Sequence, residues 1–212
     1  MAVAIKFCGL TRREDLDGAR ALGAAYVGII FAGGPRMQSV DAARGVLDGV
    51  TGVHAVGVFR KDDIDGMRSA LRALPIGVVQ LHGDVSEADV EAARRAGAAE
   101  VWSVARVGPA GLPAELGALF QASDAVVLDT ATASGLGGSG ERFDWERTAE
   151  AIERIPRRAR LALAGGLRPE NVVHAIRTLH PDIVDVSSGV ESAPGVKDIG
   201  LMRRFADAVR SV

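Results

Sequence analysis

Short apolar runs and amphipathic stretches alternate from one end of the chain to the other. The first run, Val3-Ala4-Ile5-Lys6-Phe7-Cys8, is closed by Gly9-Leu10-Thr11. Side chains on a strand alternate between faces, so Val3, Ile5 and Phe7 share one wholly apolar face, and Ala4, Lys6 and Cys8 share the other. Seven more runs read as strands, at residues 26–31, 54–59, 78–81, 101–105, 125–129, 161–164 and 183–186. They are rich in Val, Ile, Ala and Leu and mostly apolar on both faces, as buried parallel strands are. Helical periodicity fills the gaps, over residues 12–22, 41–49, 62–74, 87–96, 113–121 and 144–155, from Pro169 onward, and over 198–212. Thr11 with Glu14 is an expected capping box for the first helix, and Ser86 an expected cap for the fourth. Pro75 breaks the third helix, Gly23 and Gly97 stop the first and fourth, and Pro169 is placed in the first turn of the seventh. Eight strand–helix units predict an α/β fold, a single (β/α)8 TIM barrel spanning residues 1–212.

Composition narrows the partners. Twenty-five Lys and Arg stand against 27 Asp and Glu, a formal net charge of −2, with no basic cluster. No nucleic acid and no anionic membrane is expected as partner. The single cysteine cannot form an internal disulfide, which fits a reducing compartment. Lys6 interrupts the first apolar run, against a secretory signal, and no run is long enough to span a bilayer. The expected location is cytoplasmic, as a monomer or homodimer. His54, His174 and His180 lack metal-ligand spacing, so no metal is expected.

Candidate chemistry collects at the C-terminal strand ends, where barrels bind ligands. Cys8 ends strand one. Only a thiolate can act as a base, and Lys6, two residues back on the same face, is expected to favour it. Asp129 ends strand six after four apolar residues and precedes the thirteen-residue, glycine-rich loop Thr130–Arg142, like a general acid under a lid. Gly165-Gly166 follows strand seven and Ser187-Ser188-Gly189 follows strand eight. Glycines there admit backbone N–H groups close to an anion, so the pair of loops points to phosphate. Arg36, in the loop after strand two, could clamp a carboxylate with two bonds. Gln80 and His82 share a face of strand four and read equally as loop supports or substrate contacts. Asp185 reads as structural, shaping the phosphate loop or orienting a lysine.

These residues carry a family resemblance. Lys6-Phe7-Cys8-Gly9-Leu10-Thr11 resembles the opening motif of the phosphoribosylanthranilate isomerases of tryptophan biosynthesis. In the family's order follow Phe31 to Arg36, Val79-Gln80-Leu81-His82-Gly83, Leu128-Asp129 with Gly137-Gly138-Ser139-Gly140 and Phe143-Asp144-Trp145, Leu163 to Leu167 with Pro169 to Val172, and Asp185 to Asp198. Gly34 departs from the pattern, standing where the family usually has serine. The resemblance implies an Amadori rearrangement of the small-molecule phosphoribosyl substrate N-(5′-phosphoribosyl)anthranilate, with no cofactor. It implies Asp129 as the acid that opens the sugar ring and Cys8 as the base that takes the C2′ proton. Arg36 would bind the anthranilate carboxylate, and Gly165, Gly166, Ser188 and Gly189 the phosphate. Gln80, His82 and Lys6 are further candidates for substrate contact.

Two alternatives differ in what they need. The related histidine-pathway isomerase, or a dual-specificity relative, would need a second phosphate loop near strands three and four and resembles a barrel with aspartate at the Cys8 position. A non-catalytic sugar-phosphate-binding barrel could dispense with Cys8 and Asp129.

Overall fold

The computed structural model describes residues 2–130 and 143–212. The segment expected to act as a lid lies, but for Thr130, outside the described residues. Eight parallel strands close into a barrel in sequence order. They are β1 (Ala4–Cys8), β2 (Tyr26–Ile30), β3 (His54–Arg60), β4 (Ile76–His82), β5 (Glu100–Val107), β6 (Ala125–Thr130), β7 (Arg160–Leu163) and β8 (Ile183–Val186). Helices α1 (Arg13–Ala21), α2 (Val40–Leu47), α3 (Ile64–Ala73), α4 (Glu87–Ala96), α5 (Leu116–Ala122), α6 (Trp145–Ile152), α7 (Val172–Leu179) and α8 (Ile199–Arg210) follow the strands. Between β8 and α8 lie a 3-10 turn, Ser188–Val190, and a small hairpin of β9 (Glu191–Ala193) and β10 (Val196–Lys197).

The period-2 pattern sorts the strands into two cores. Ile5, Phe7, Val27, Ile29, Val79, Leu81, Val126 and Leu128 point outward and pack under the helices. Tyr26, Val56, Val78, Trp102, Val104, Ala125, Val127, Ala162 and Ile183 fill the barrel interior, with Ala4 against them. Trp102 is fully buried and meets Tyr26 edge-on at 4.9 Å, an arrangement favoured by the ring quadrupoles. Arg160 lies over both rings and donates to the Tyr26 hydroxyl at 2.6 Å. The base of the barrel is thus plugged, and only the opposite end can admit a ligand.

Two local expectations are corrected. Thr11 does not cap α1. Its hydroxyl donates to the carbonyl of Gly195 in the β9–β10 turn, and Arg12 takes the N-cap position. Pro169 precedes α7 instead of sitting in its first turn. Asn171 takes the N-cap position, accepts from the Arg168 N–H at 2.8 Å and donates to the Gly166 carbonyl at 2.9 Å, so residues 168–171 form a tied turn. The Ser86 cap is present as a capping box with Asp89, and Gly97 ends α4 in the left-handed conformation. The sequence pattern gave no sign of β9 and β10.

Candidate active site

A pocket opens at the C-terminal mouth. Cys8, Ile30, Val58, Gln80, His82, Asp129 and Asp185 line its interior, and residues 32–36, 164–167 and 187–189 form its rim. The predicted residues other than Lys6 therefore share one cavity. Lys6 lies below it, wholly buried on the same face of β1 as Cys8.

Cys8 is free and buried. Gly28 on β2 makes room for it, because a Cβ at position 28 would lie 2.6 Å from the Cys8 sulfur. Burial pushes the thiol pKa above its ordinary value; Lys6 pulls it down, Asp185 pushes it up, and Lys197 pulls it down. The expectation that Lys6 favours the thiolate is corrected on balance. Desolvation outweighs the lysine, whose ammonium is already engaged by Asp185 Oδ2 at 2.6 Å and Gln80 Oε1 at 2.9 Å. Burial alone would depress the Lys6 pKa, but the Asp185 charge more than offsets it and holds the amine ionised. Gln80 thus supports the lysine while also lining the pocket. Asp185, read as structural, does orient a lysine, yet it also faces the cavity. Its second oxygen, Oδ1, is buried and accepts no hydrogen bond among the described residues, and the buried Ser187 hydroxyl has no partner there either.

Asp129 stands three strands from Cys8 around the wall, at the shorter way round. At the spacing of neighbouring strands this is roughly 14 Å along the wall, and inward-pointing side chains narrow the gap. Burial, then the charge of Asp185, pushes the Asp129 pKa up to about 6, against the downward pull of the Thr130 N–H, Arg106 and Lys6. The Thr130 N–H donates to Asp129 Oδ1 at 2.9 Å. His82 Nε2 meets Arg106 Nη2 at 3.0 Å, and Arg106 is the β5 neighbour in register with Asp129.

The glycine loops approach each other as well as the cavity. Gly165 has φ +82°, and a Cβ there would overlap Thr130 and come within 2.9 Å of Asp129 Oδ1. A Cβ on Gly189 would overlap the Leu167 carbonyl oxygen. The two loops form a backbone-lined concavity that any side chain would fill. Its neighbour after β8 is the three-residue 3-10 turn, not the N-terminus of a long helix.

Arg36 reaches the rim but is not free of partners. Glu191 accepts from its Nε at 2.8 Å and from its Nη2 at 2.7 Å. Lys197, buried in its turn, donates to Glu191 at 2.8 Å and to the Ser187 carbonyl at 3.1 Å. Burial alone would raise the Glu191 pKa; Arg36 and Lys197 outweigh it and hold the carboxylate ionised. Burial lowers the Lys197 pKa. Sequence reasoning missed Glu191 and Lys197 as parts of the site, since nothing local marks a partner 155 residues away. Among the described residues no group of His, Cys, Asp and Glu could hold a metal ion, and no helix is long and apolar enough to cross a membrane.

Comparison with known proteins agrees with this geometry. Residues 5–208 match the family described as N-(5′phosphoribosyl)anthranilate (PRA) isomerase. The chain is 36% identical to an N-(5′-phosphoribosyl)anthranilate isomerase of Pseudomonas aeruginosa strain LESB58, over 99% of this chain and 96% of that one. It is 37% identical to the Thiobacillus denitrificans protein of the same name over the full length of both. The crystal structure of the phosphoribosyl anthranilate isomerase from Thermus thermophilus superposes with a TM-score of 0.84 at 32% identity, over 99% of each chain. Another solved isomerase, in complex with reduced 1-(o-carboxyphenylamino)-1-deoxyribulose 5-phosphate, superposes with a TM-score of 0.80 at 29% identity, over 99% of this chain and 100% of that one. A (β/α)8 barrel carrying a carboxyl and a thiol at its mouth, and matching these relatives from end to end, belongs to the N-(5′-phosphoribosyl)anthranilate isomerase family.

Proposed function

We propose that Asp129 and Cys8 are the general acid and general base of this isomerase, and that they act on the ribose from opposite sides of the pocket. The chain is an aldose–ketose isomerase of tryptophan biosynthesis, acting on N-(5′-phosphoribosyl)anthranilate. In the proposed course, Asp129 gives its proton to the furanose oxygen as the C1′–O bond breaks. The anilino nitrogen lone pair forms the C=N bond of a Schiff base. The Cys8 thiolate then takes the C2′ proton, and the electrons of that C–H bond form C1′=C2′ of an enolamine. Loss of the enol proton and protonation of C1′ give 1-(2-carboxyphenylamino)-1-deoxyribulose 5-phosphate.

The observation that carries this reading is the Asp129 pKa of about 6, beside a cavity that also holds a buried thiol. A carboxyl that keeps its proton close to neutrality can serve as an acid where an ordinary surface aspartate could not. A thiol raised by burial makes a scarce but strongly basic thiolate. Gly165, Gly166, Ser188 and Gly189 are assigned to the phosphate, Arg36 to the anthranilate carboxylate, and Gln80 and His82 to further substrate contact. Lys6 acts through Asp185 and Cys8. The proposed chemistry uses protein groups alone, and we place it in the cytoplasm with a small-molecule substrate as the partner.

The test is turnover of phosphoribosylanthranilate, followed by loss of its anthranilate fluorescence, by the native chain, Cys8→Ser and Asp129→Asn. Each substitution is expected to lower kcat about 10²–10⁴-fold with the fold intact. Turnover that survives Cys8→Ser would assign the base to another group.

A further inference from the structure

We infer that Glu191 is a positioning residue that sets the specificity for the substrate's carboxylate, by fixing which edge of the Arg36 guanidinium faces the pocket. The inference rests on the assignment of Arg36 to that carboxylate.

A guanidinium has five N–H donors and two edges that can grip a carboxylate side by side. Glu191 occupies one, the edge made by Nε and Nη2. The other edge, made by Nη1 and the second Nη2 proton, keeps a parallel pair of donors. Arg36 lines the pocket, so a ligand carboxylate can take that edge while Glu191 keeps the first.

Glu191 is itself rigidly held. In the β9–β10 hairpin Lys197 is its cross-strand partner, and the ammonium donates to the Glu191 carboxylate and to the Ser187 carbonyl. The Glu191 side chain is 4% exposed and that of Lys197 is not exposed at all. A dry, doubly paired carboxylate is a fixed anchor for a long, rotamer-rich arginine. Gly9 supplies the remaining restraint: a Cβ there would lie 2.6 Å from Arg36 Cδ, so the arginine stem lies close over the end of β1. Two cations and one anion leave the cluster with an excess positive charge, which suits an anionic ligand.

The competing consequence of the same contact is that Glu191 occupies Arg36 in place of the substrate. Geometry decides against it, because the Glu191 bonds use one edge and leave the other whole. Removing Glu191 would raise the local positive charge but release the arginine from its orientation, and a two-bond grip depends on orientation.

The test uses two ligands, the reduced Amadori product and its phenylamino counterpart lacking the carboxyl group. Their affinities are measured by calorimetry on the native chain, Glu191→Gln, Glu191→Asp and Arg36→Met. The native chain is expected to prefer the carboxylated ligand, and Arg36→Met to lose that preference. Glu191→Gln is expected to lose roughly tenfold of it, the scale of one charge-assisted bond, while binding the other ligand as the native chain does. In turnover, KM rises and kcat holds. Glu191→Asp keeps the charge but is one methylene short, and it is expected to lose preference in the same sense; it carries the test if Glu191→Gln does not fold. An unchanged preference, tighter binding of the carboxylated ligand, or equal weakening of both ligands would overturn the proposal. If Arg36→Met keeps the preference, the Arg36 assignment fails and the proposal falls with it. That result differs from loss of preference in Arg36→Met alone, which sinks the role of Glu191 only.

Discussion

The Lys6 ammonium stands 2.6 Å from the Asp185 carboxylate across the seam between β1 and β8, with no exposed surface on the lysine side chain. The pair sits beneath both proposed reacting groups. Asp185 pushes the Cys8 and Asp129 pKa values up, and Lys6 pulls both down. Of the two, the lysine acts more strongly on Cys8. Lys6→Met is therefore expected to raise the thiol further, whether Asp185 then stays ionised or takes a proton. Alkylation of Cys8, the only cysteine, should slow at fixed pH relative to the native chain. Stability should fall by about 3–5 kcal/mol, the usual cost of removing one partner of a buried pair. Faster alkylation in folded Lys6→Met would reverse the electrostatic account.

Asp129 costs the fold stability near neutrality. Its pKa rises from 3.8 to about 6 on folding, so between those values the folded state binds more protons than the unfolded one. Stability then declines as pH rises through that window and stays lower above it. Asp129→Asn removes the penalty. The variant should be more stable than the native chain at pH 8, by up to about 3 kcal/mol, and lose that advantage by pH 4. Denaturant unfolding at both pH values measures it; an advantage independent of pH would place its cause elsewhere.

The same two groups shape the rate profile. Turnover needs Asp129 protonated and Cys8 ionised. Below pH 6 the thiolate population grows tenfold per pH unit while the acid keeps its proton, so kcat/KM climbs. Above about 6 the growth of thiolate is offset by loss of the protonated acid. A plateau is expected from about pH 6 up to the raised thiol range, with the fall only beyond it. A steep fall between pH 6 and 8, measured at saturating and limiting substrate, would contradict the assignment of these states.

Glycines in this chain differ in what they tolerate. Gly189→Ala puts a methyl into the Leu167 carbonyl, a backbone atom that cannot step aside. It should cost about 3 kcal/mol or more and weaken inorganic phosphate binding. Gly45 lies inside α2 with nothing within 4 Å of a built Cβ. Gly45→Ala should stabilise by about 0.5–1 kcal/mol. Thermal unfolding of the two variants side by side checks the contrast.

The barrel and the positions of Cys8 and Asp129 were legible in the sequence because they rest on local periods. Alternation along β1 alone puts Lys6 and Cys8 on one face, and apolar runs ending in Cys8 or Asp129 put those groups at the mouth. What stayed hidden depends on distant pairing. Thr11 has the local pattern of a cap but bonds Gly195, 184 residues on, so a tertiary partner overrode the local one. The balance that raises the Cys8 thiol needs both its burial and the placement of Asp185 across the seam. Glu191 and Lys197 lie in strands of three and two residues, too short to carry a readable period.

The seam has a consequence for how the protein is made. Lys6 leaves the ribosome 179 residues ahead of Asp185. At ordinary elongation rates of about 5–20 residues per second, that delay is roughly 10–35 seconds. Throughout it, the first strand lacks the neighbour that closes the barrel and the anion that makes its buried lysine tolerable. Such a chain cannot become active piecemeal: the charge balance around its earliest residues is completed by almost the last strand to appear.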